Sequence, residues 1–295
     1  MNAGAAAPIK GAPVARTIKT AVARIVAERE GTPCLVNVVV GDDGASESYL
    51  AALEKLAAKL GIDARRIALP ADCDEGAVCA AVEDAGSDPG VHGVMIQFPL
   101  PEGLDRERVA SFLPAHKDVD GITAASLGAC LAGTRRHTAP ATAAAVVELL
   151  AADPETRVAG KHVVVLGRSL VVGRPLAAML ARPGDGGNAT VTLCHSRTAD
   201  VAGHCRRADV LVVAVGKQHL VTPDWVAPGA VVVDVGTHPV EGPDGWTLAG
   251  DVHPDVGAVA GRLTPVPGGV GPVTNAVLMR HVAAACHPDA FPPAW

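Results

Sequence analysis

The stretch best suited to chemistry is KHVVVLGRSLVVGRP, which runs from Lys161 to Pro175. Its apolar run Val163–Leu166 is typical of a buried parallel strand. A sharp turn follows at Gly167–Ser169, and helical spacing begins at Val172. Because a strand, a glycine turn and a helix point free backbone N–H groups at one place, this stretch predicts a phosphate-binding turn.

The glycine spacing in this turn differs from the usual G-x-G-x-x-G. Ser169 stands where the second glycine would be, and the next glycine is Gly173. A glycine turn alone also suits an α/β crossover that needs the glycine only for packing. The cofactor prediction therefore depends on the residues at the end of the next strand.

That next strand is predicted at Thr190–Leu193, and the sequence CHSRT comes directly after it. In folds that prefer NAD, an acidic residue at this strand end binds the ribose hydroxyls. Here Ser196 and Arg197 occupy the place, and Arg168 lies near the first turn. Hydroxyls and cations suit a ribose phosphate, so the sequence predicts an NADP site.

Composition limits the classes of protein that this chain can represent. Its 295 residues are enough for two domains, and the net charge of −6 without a basic run favours neither nucleic acid nor an anionic membrane as a partner. The seven cysteines form no C-x-x-C pair, so neither a disulfide framework nor a zinc site is predicted. The eleven histidines show no metal-ligand spacing, and we expect no metal. No apolar span has the length of a membrane helix, and a cytoplasmic location is expected.

Strands and helices alternate along both halves of the chain, which predicts an α/β fold with parallel sheets. In the first half the predicted elements are an initial helix carrying Val14 to Val26, a strand at Cys34–Val40, a helix from Ser46, a strand at Arg66–Leu69, a helix at Glu75–Ala85, a strand at Val91–Phe98 and a helix at Arg106–Leu113. In the second half they are a helix at Thr142–Ala151, strands at Val163–Leu166, Thr190–Leu193, Val210–Val215 and Ala230–Val235, and a last helix at Asn275–Cys286.

Seven ordered motifs make the chain resemble the bifunctional methylenetetrahydrofolate dehydrogenase/methenyltetrahydrofolate cyclohydrolase family over nearly its whole length. They are VGDDGASESY ending at Tyr49, GVMIQFPLP ending at Pro101, KDVDGIT from Lys117, GRSLVVGRP from Gly167, CHSRT from Cys194, VVDVGT ending at Thr237, and TPVPGGVGPVTNAVLM from Thr264. The resemblance implies a folate domain over residues 1–141, a Rossmann-like NADP domain over 142–271, and a cleft between them. It also implies that the last helix, 272–295, packs back on the first domain, and that the protein is a homodimer.

The resemblance also assigns roles to individual residues. It implies catalytic and folate-binding roles for Tyr49, Gln97 and Asp120. An aromatic ring suits the flat pterin, and a carboxylate suits its donor-rich edge. Other interpretations are a half-buried helix residue for Tyr49, a strand-end partner of backbone groups for Gln97, and a turn former for Asp120. Further implied contacts are Pro267 and Gly268 to substrate, and Gly167, Arg168, Ser169, Ser196, Arg197, Gly216 and Thr274 to the cofactor.

Three positions depart from the family pattern. The lysine expected four residues after the tyrosine is Leu53, the cysteine of a Pro-Cys-Thr motif is Ala141, and the asparagine after KDVDG is Ser126. In the family that lysine is identified with hydrolysis of the methenyl product. Lys55 and Lys59 are offset by roughly 200° and 240° around the helix, so neither replaces it.

The resemblance therefore implies an NADP-dependent oxidation of methylenetetrahydrofolate to methenyltetrahydrofolate in one-carbon metabolism. Because leucine cannot donate, accept or titrate, we expect the cyclohydrolase activity to be lost or weak. Three alternatives stay open: a fully bifunctional enzyme, another oxidoreductase on the same scaffold, and a non-catalytic paralogue that binds folate or NADP.

Overall fold

A computed structural model describes residues 6–41, 44–134, 138–242 and 245–291 of the chain. The chain divides into two compact units. The first unit contains Arg16–Ala141 and the C-terminal piece that begins at Asn275. The second contains Thr142–Thr274 and the N-terminal piece that ends at Ala15.

Strands and helices alternate through most of both units. The strands are β1 (Ala7–Pro8), β2 (Cys34–Val40), β3 (Asp63–Leu69), β4 (Gly93–Ile96), β5 (His162–Leu166), β6 (Thr190–Cys194), β7 (Val210–Val213), β8 (Val231–Asp234), β9 (His238–Gly242), β10 (Gly245–Ala249) and β11 (Arg262–Leu263). The α-helices are α1 (Gly11–Glu28), α2 (Gly44–Lys59), α3 (Glu75–Ser87), α4 (Arg106–Ser111), α5 (Ala124–Ala132), α6 (Ala141–Ala151), α7 (Gly173–Ala181), α8 (Val201–Cys205) and α9 (Val270–Cys286).

The first unit contains a parallel three-stranded sheet in the order β3-β2-β4. Its central strand β2 is buried along nearly its whole length, as its run of apolar residues predicts. The C-terminal part of α9 packs against β4, where a Cβ added to Gly93 would lie 2.5 Å from Val119 and 3.3 Å from Val282. Because Gly93 has no side chain, helix α9 and the loop that carries Val119 can both approach β4 closely.

The second unit contains a parallel six-stranded sheet in the order β1-β11-β8-β7-β5-β6. One side of it buries an apolar cluster that includes Leu166, Leu211 and Val232. From β5 the chain continues to β6 on one side and then returns to β7 on the other. The carboxyl ends of β5 and β7 therefore form the topological switch point where open parallel sheets bind ligands.

The α/β fold with parallel sheets is confirmed, and the structure corrects its details. Strand β4 is shorter than predicted, and α9 begins at Val270, earlier than the predicted start at Asn275. Strands β1 and β11, helix α5 and the antiparallel β9–β10 hairpin were not predicted. The N-terminal piece belongs to the second unit and not to the first domain, because Ala7–Pro8 pairs with Arg262–Leu263. No helix in the described part of the chain is long and apolar enough to cross a membrane.

Candidate functional site

Gln97 and Asp120 lie at the carboxyl edge of the first unit's sheet. Gln97 follows β4, and its backbone N–H donates to Val38 O at 2.9 Å. The segment from Lys117 runs parallel to β4, with Val94 N donating to Lys117 O at 2.8 Å and Val94 paired with Asp118. The chain bends directly after this single bridge, at Val119 and Asp120, so Asp120 lies toward the carboxyl end of β4.

The two aspartates of this segment have different surroundings. Asp118 is fully buried, and its carboxylate accepts hydrogen bonds from Ile122 N at 3.1 Å and Thr123 N at 2.8 Å. Asp120 is half-buried, and its carboxylate accepts no hydrogen bond within the described part of the chain. Asp118 therefore forms the turn, which leaves the carboxylate of Asp120 free to meet a ligand.

Burial and nearby charges shift the pKa values of two side chains at this edge. Burial chiefly, and the charge of Asp118 to a smaller extent, raise the pKa of Asp120 to about 7, and Arg106 opposes the rise. Burial also raises the pKa of Tyr49 to about 12, with a further contribution from Asp120. Tyr49 and Asp120 are therefore within electrostatic reach of each other, and the phenol stays neutral at physiological pH. About a third of Tyr49 (36%) remains exposed, which leaves part of its ring accessible.

Arg106 is a residue of this edge that the sequence did not single out. It is the first residue of α4, it is half-buried, and its guanidinium carbon lies 4.2 Å from the centroid of the Phe98 ring. Within the described ranges it forms no ion pair at salt-bridge distance. Nothing in the sequence distinguishes it from Arg108, which is an exposed residue paired with Glu75 at 2.9 Å.

Leu53 lies on α2, one turn after Tyr49, with its side chain fully buried. Lys55 and Lys59 are both exposed. Arg66 on β3 fixes this helix to the sheet by donating to Glu54 at 2.8 and 3.0 Å and to Glu47 at 2.5 Å. Position 53 therefore presents an apolar side chain to the core and no titratable group to the site.

The predicted phosphate turn forms at the switch point of the second unit. Gly167 has a φ of 124°, and a Cβ there would lie 2.1 Å from Ala214 O. A Cβ on Gly173 would lie 1.9 Å from Gly167 O, so both positions require glycine. Ser169 Oγ accepts hydrogen bonds from Val172 N at 3.2 Å and Gly173 N at 3.4 Å, and so ties the turn to the start of α7. This tight cradle fits the close approach of a pyrophosphate.

The turn after β6 carries the predicted ribose-phosphate residues. Gly167 N donates to Cys194 O at 2.9 Å, which ties this turn to the phosphate turn. His195 then closes the loop, because its backbone N donates to Thr198 Oγ1 at 2.9 Å and its ring Nδ1 accepts from Arg197 N at 3.1 Å. Arg168, Ser196 and Arg197 are all exposed at this edge. The arrangement offers cations and a hydroxyl to a phosphate without any acidic residue at the strand end.

The remaining predicted contacts also lie in the second unit. Gly216 follows β7 and has open space where a Cβ would point. The Val266–Pro267 peptide is cis, and the carbonyl of Gly268 accepts from Gly11 N at 2.9 Å. Thr274 Oγ1 donates within its own helix to Val270 O at 3.3 Å. Pro267 and Gly268 are therefore in the unit that carries the phosphate turn, whereas Tyr49, Gln97 and Asp120 are in the other.

Known proteins resemble the chain over both units. The description "Tetrahydrofolate dehydrogenase/cyclohydrolase, catalytic domain" matches residues 9–120, and "Tetrahydrofolate dehydrogenase/cyclohydrolase, NAD(P)-binding domain" matches residues 140–289. Bifunctional protein FolD 2 of Frankia casuarinae is 46% identical over 282 residues, which cover 94% of each chain.

Solved structures agree with these matches. The methylenetetrahydrofolate dehydrogenase-cyclohydrolase (FolD) of Trypanosoma brucei, complexed with NADP and an inhibitor, is 34% identical, has a TM-score of 0.88, and the match covers 98% of this chain and all (100%) of that one. The bifunctional FolD enzyme of Campylobacter jejuni is 32% identical with a TM-score of 0.88, and the match covers 96% and 99% of the two chains. The chain therefore belongs to the tetrahydrofolate dehydrogenase/cyclohydrolase family, with an N-terminal catalytic domain and a C-terminal NAD(P)-binding domain.

Proposed function

We propose that this protein is an NADP-dependent methylenetetrahydrofolate dehydrogenase whose cyclohydrolase activity is lost or weak. One observation carries the proposal. The residues suited to bind folate and those suited to bind NADP are both present, each at a sheet edge, whereas position 53 holds an apolar residue. The carboxylate of Asp120 and the ring of Tyr49 are accessible at one edge, and a glycine cradle flanked by arginines forms the other.

The side chains of the first unit hold the folate in this proposal. The ring of Tyr49 lies against the pterin, and ionised Asp120 accepts hydrogen bonds from the pterin's donor edge. Gln97, at the end of β4, contacts the reacting part of the substrate. NADP supplies the hydride acceptor, and the protein contributes mainly by positioning the folate carbon against it. Pro267 and Gly268 complete the substrate contacts, and Thr274 lies on the nicotinamide side.

The preference for NADP over NAD is proposed to come from Arg168, Ser196 and Arg197. A charge-assisted contact to a phosphate contributes about 1.5–3 kcal/mol, so Arg168→Ala should weaken NADP binding by about 10- to 150-fold and leave NAD binding nearly unchanged. Arg157→Ala is the matched control, because Arg157 is an exposed arginine of the same unit on the amino-terminal side of β5. Equal affinity of the unaltered protein for NADP and NAD would contradict the proposal.

The loss of cyclohydrolase activity is proposed from the chemistry of hydrolysis. Water must add to the methenyl carbon and protons must move, which needs a titratable group within hydrogen-bond reach. Buried Leu53 supplies none. Two assays test this: NADPH formation from methylenetetrahydrofolate, and decay of added methenyltetrahydrofolate with and without the protein.

The expected result is NADPH formation without accelerated decay of the methenyl compound. Accelerated decay would favour the fully bifunctional enzyme, and absence of both activities would favour a non-catalytic paralogue. Leu53→Lys should gain hydrolysis. Because it brings an amine into a fully buried position, its thermal unfolding is compared with that of Leu53→Met, which keeps the volume and the apolarity.

A homodimer is also proposed, and light scattering of the purified protein tests it.

A further inference from the structure

The carboxylate of Asp251 binds three consecutive backbone N–H groups of the loop after β7. Oδ2 accepts from Val215 N at 2.7 Å and Gly216 N at 3.1 Å, and Oδ1 accepts from Lys217 N at 2.9 Å. Asp251 is fully buried, although it follows the exposed β9–β10 hairpin. A buried carboxylate with this many donors is satisfied by the loop itself, so it has little capacity left for a ligand.

A fourth donor and a second aspartate hold Asp251 in place. His238 Nε2 lies 2.8 Å from Asp251 Oδ1. The carboxylate of Asp234 accepts from Asp251 N at 3.0 Å, Val252 N at 2.9 Å and Gly236 N at 2.9 Å. These hydrogen bonds join the end of β8 to the segment that follows β10, and they fix the direction of the Asp251 side chain.

The direction of these N–H groups determines what the loop offers to a ligand. In a trans peptide the carbonyl points opposite to the N–H, so the carbonyls of Ala214, Val215 and Gly216 point away from Asp251. The position of Ala214 O agrees, because it abuts the phosphate turn at Gly167. Within the described residues none of the three carbonyls accepts a hydrogen bond. The loop therefore presents acceptors on its ligand side and no backbone donors.

We propose that Asp251 is a positioning residue that turns two of these carbonyls, those of Val215 and Gly216, toward the nicotinamide half of the cofactor. Their partners would be neutral donors, the ribose hydroxyls and the carboxamide N–H groups, and not a phosphate. The strand order supports the assignment of the carbonyls to the nicotinamide half. Ser196 and Arg197 follow β6 on one side of β5, and the carbonyls follow β7 on the other side. The inference rests on the proposed use of NADP.

Binding of two ligands separates this role from a general effect on folding. NADP contains both halves of the cofactor, and adenosine 2′,5′-bisphosphate contains only the half assigned to Ser196 and Arg197. Asp251→Asn keeps the size of the side chain but places an NH2 group against backbone N–H groups. We expect it to weaken NADP by about tenfold or more and to change binding of the bisphosphate by less than about twofold. The KM for NADP should rise while the KM for the folate stays constant.

Two further variants complete the experiment. Asp209→Asn is the control, because the Asp209 carboxylate also accepts a backbone hydrogen bond, from His162 N at 2.8 Å, but at the opposite edge of the sheet. His238→Ala removes only the fourth donor. It should weaken NADP binding by a few-fold and leave binding of the bisphosphate unchanged. If Asp251→Asn does not fold, the result for His238→Ala tests the inference in its place. Equal losses for both ligands, or no loss in the variants, would overturn the inference. If the unaltered protein fails to bind NADP at all, the proposed cofactor itself is wrong, and that outcome is seen before any variant is made.

Discussion

Asp120 allows a test of the candidate folate edge that needs no folate. Its pKa is raised from an ordinary value of 3.8 to about 7, chiefly by burial. At 1.36 kcal/mol for each pKa unit, ionised Asp120 costs the folded protein about 4 kcal/mol, an upper limit for a half-buried group. The pKa of Asp120 is higher in the folded state than in the unfolded state. Protonated Asp120 therefore contributes its full stabilisation below about pH 4, and this stabilisation is lost as the pH rises through about 7.

Asp120→Asn should remove this pH dependence. Between about pH 5 and about pH 8 the unaltered protein should lose roughly 2–3 kcal/mol of unfolding free energy relative to the variant. Urea unfolding at the two pH values measures the difference. Asp72→Asn provides the background, because Asp72 is exposed. If the stability difference between the unaltered protein and Asp120→Asn is the same at both pH values, Asp120 does not titrate near neutrality.

The same ionisation should appear in catalysis. If ionised Asp120 accepts hydrogen bonds from the pterin, kcat/KM for methylenetetrahydrofolate rises with an apparent pKa near 7 and is constant above it. Asp120→Asn should lower kcat/KM and flatten this rise, with NADP affinity kept. A rise that persists unchanged in the variant would assign the titration to another group.

Three further predictions concern neighbouring contacts. Arg106→Gln removes the cation that lowers the pKa of Asp120, so the apparent pKa of kcat/KM should move above 7, whereas Arg108→Gln on the same helix should leave it in place. Gly167→Ala, at a φ of 124° and 2.1 Å from Ala214 O, should lower the urea unfolding free energy by more than about 1 kcal/mol and weaken NADP; unchanged values would mean that the turn is not tight. Thr264→Val removes the buried hydroxyl that accepts from Asp234 N at 2.8 Å, and it should cost about 1–3 kcal/mol in the same assay.

The parts of the fold that were predictable are those in which burial fixes the composition. Cys34–Val40 is a strand with the predicted ends, because an apolar β-branched run bounded by turns suits a strand covered on both faces. The same reasoning located β5 and the glycine turn after it. Leu53, Tyr49 and Asp120 were identified from the resemblance, and the structure adds their burial and charge.

The features that escaped prediction depend on contacts between residues far apart in sequence. The β9–β10 hairpin is largely exposed, so it carries no regular apolar pattern. The roles of Asp251 and Arg106 come from the backbone or ring that each meets, at Val215–Lys217 and at Phe98. No spacing within either residue's own segment reveals those partners.

The pairing of β1 with β11 has a consequence for how the second unit folds. Ala7–Pro8 and its partner Arg262–Leu263 are separated in sequence by most of the chain between them, although they are neighbours in one sheet. Completion of this sheet therefore needs a contact of very high sequence separation, which slows folding. Placing a copy of residues 6–10 after residue 295, in exchange for the original segment, would lower this separation. Such a chain should refold its second unit faster than the unaltered chain.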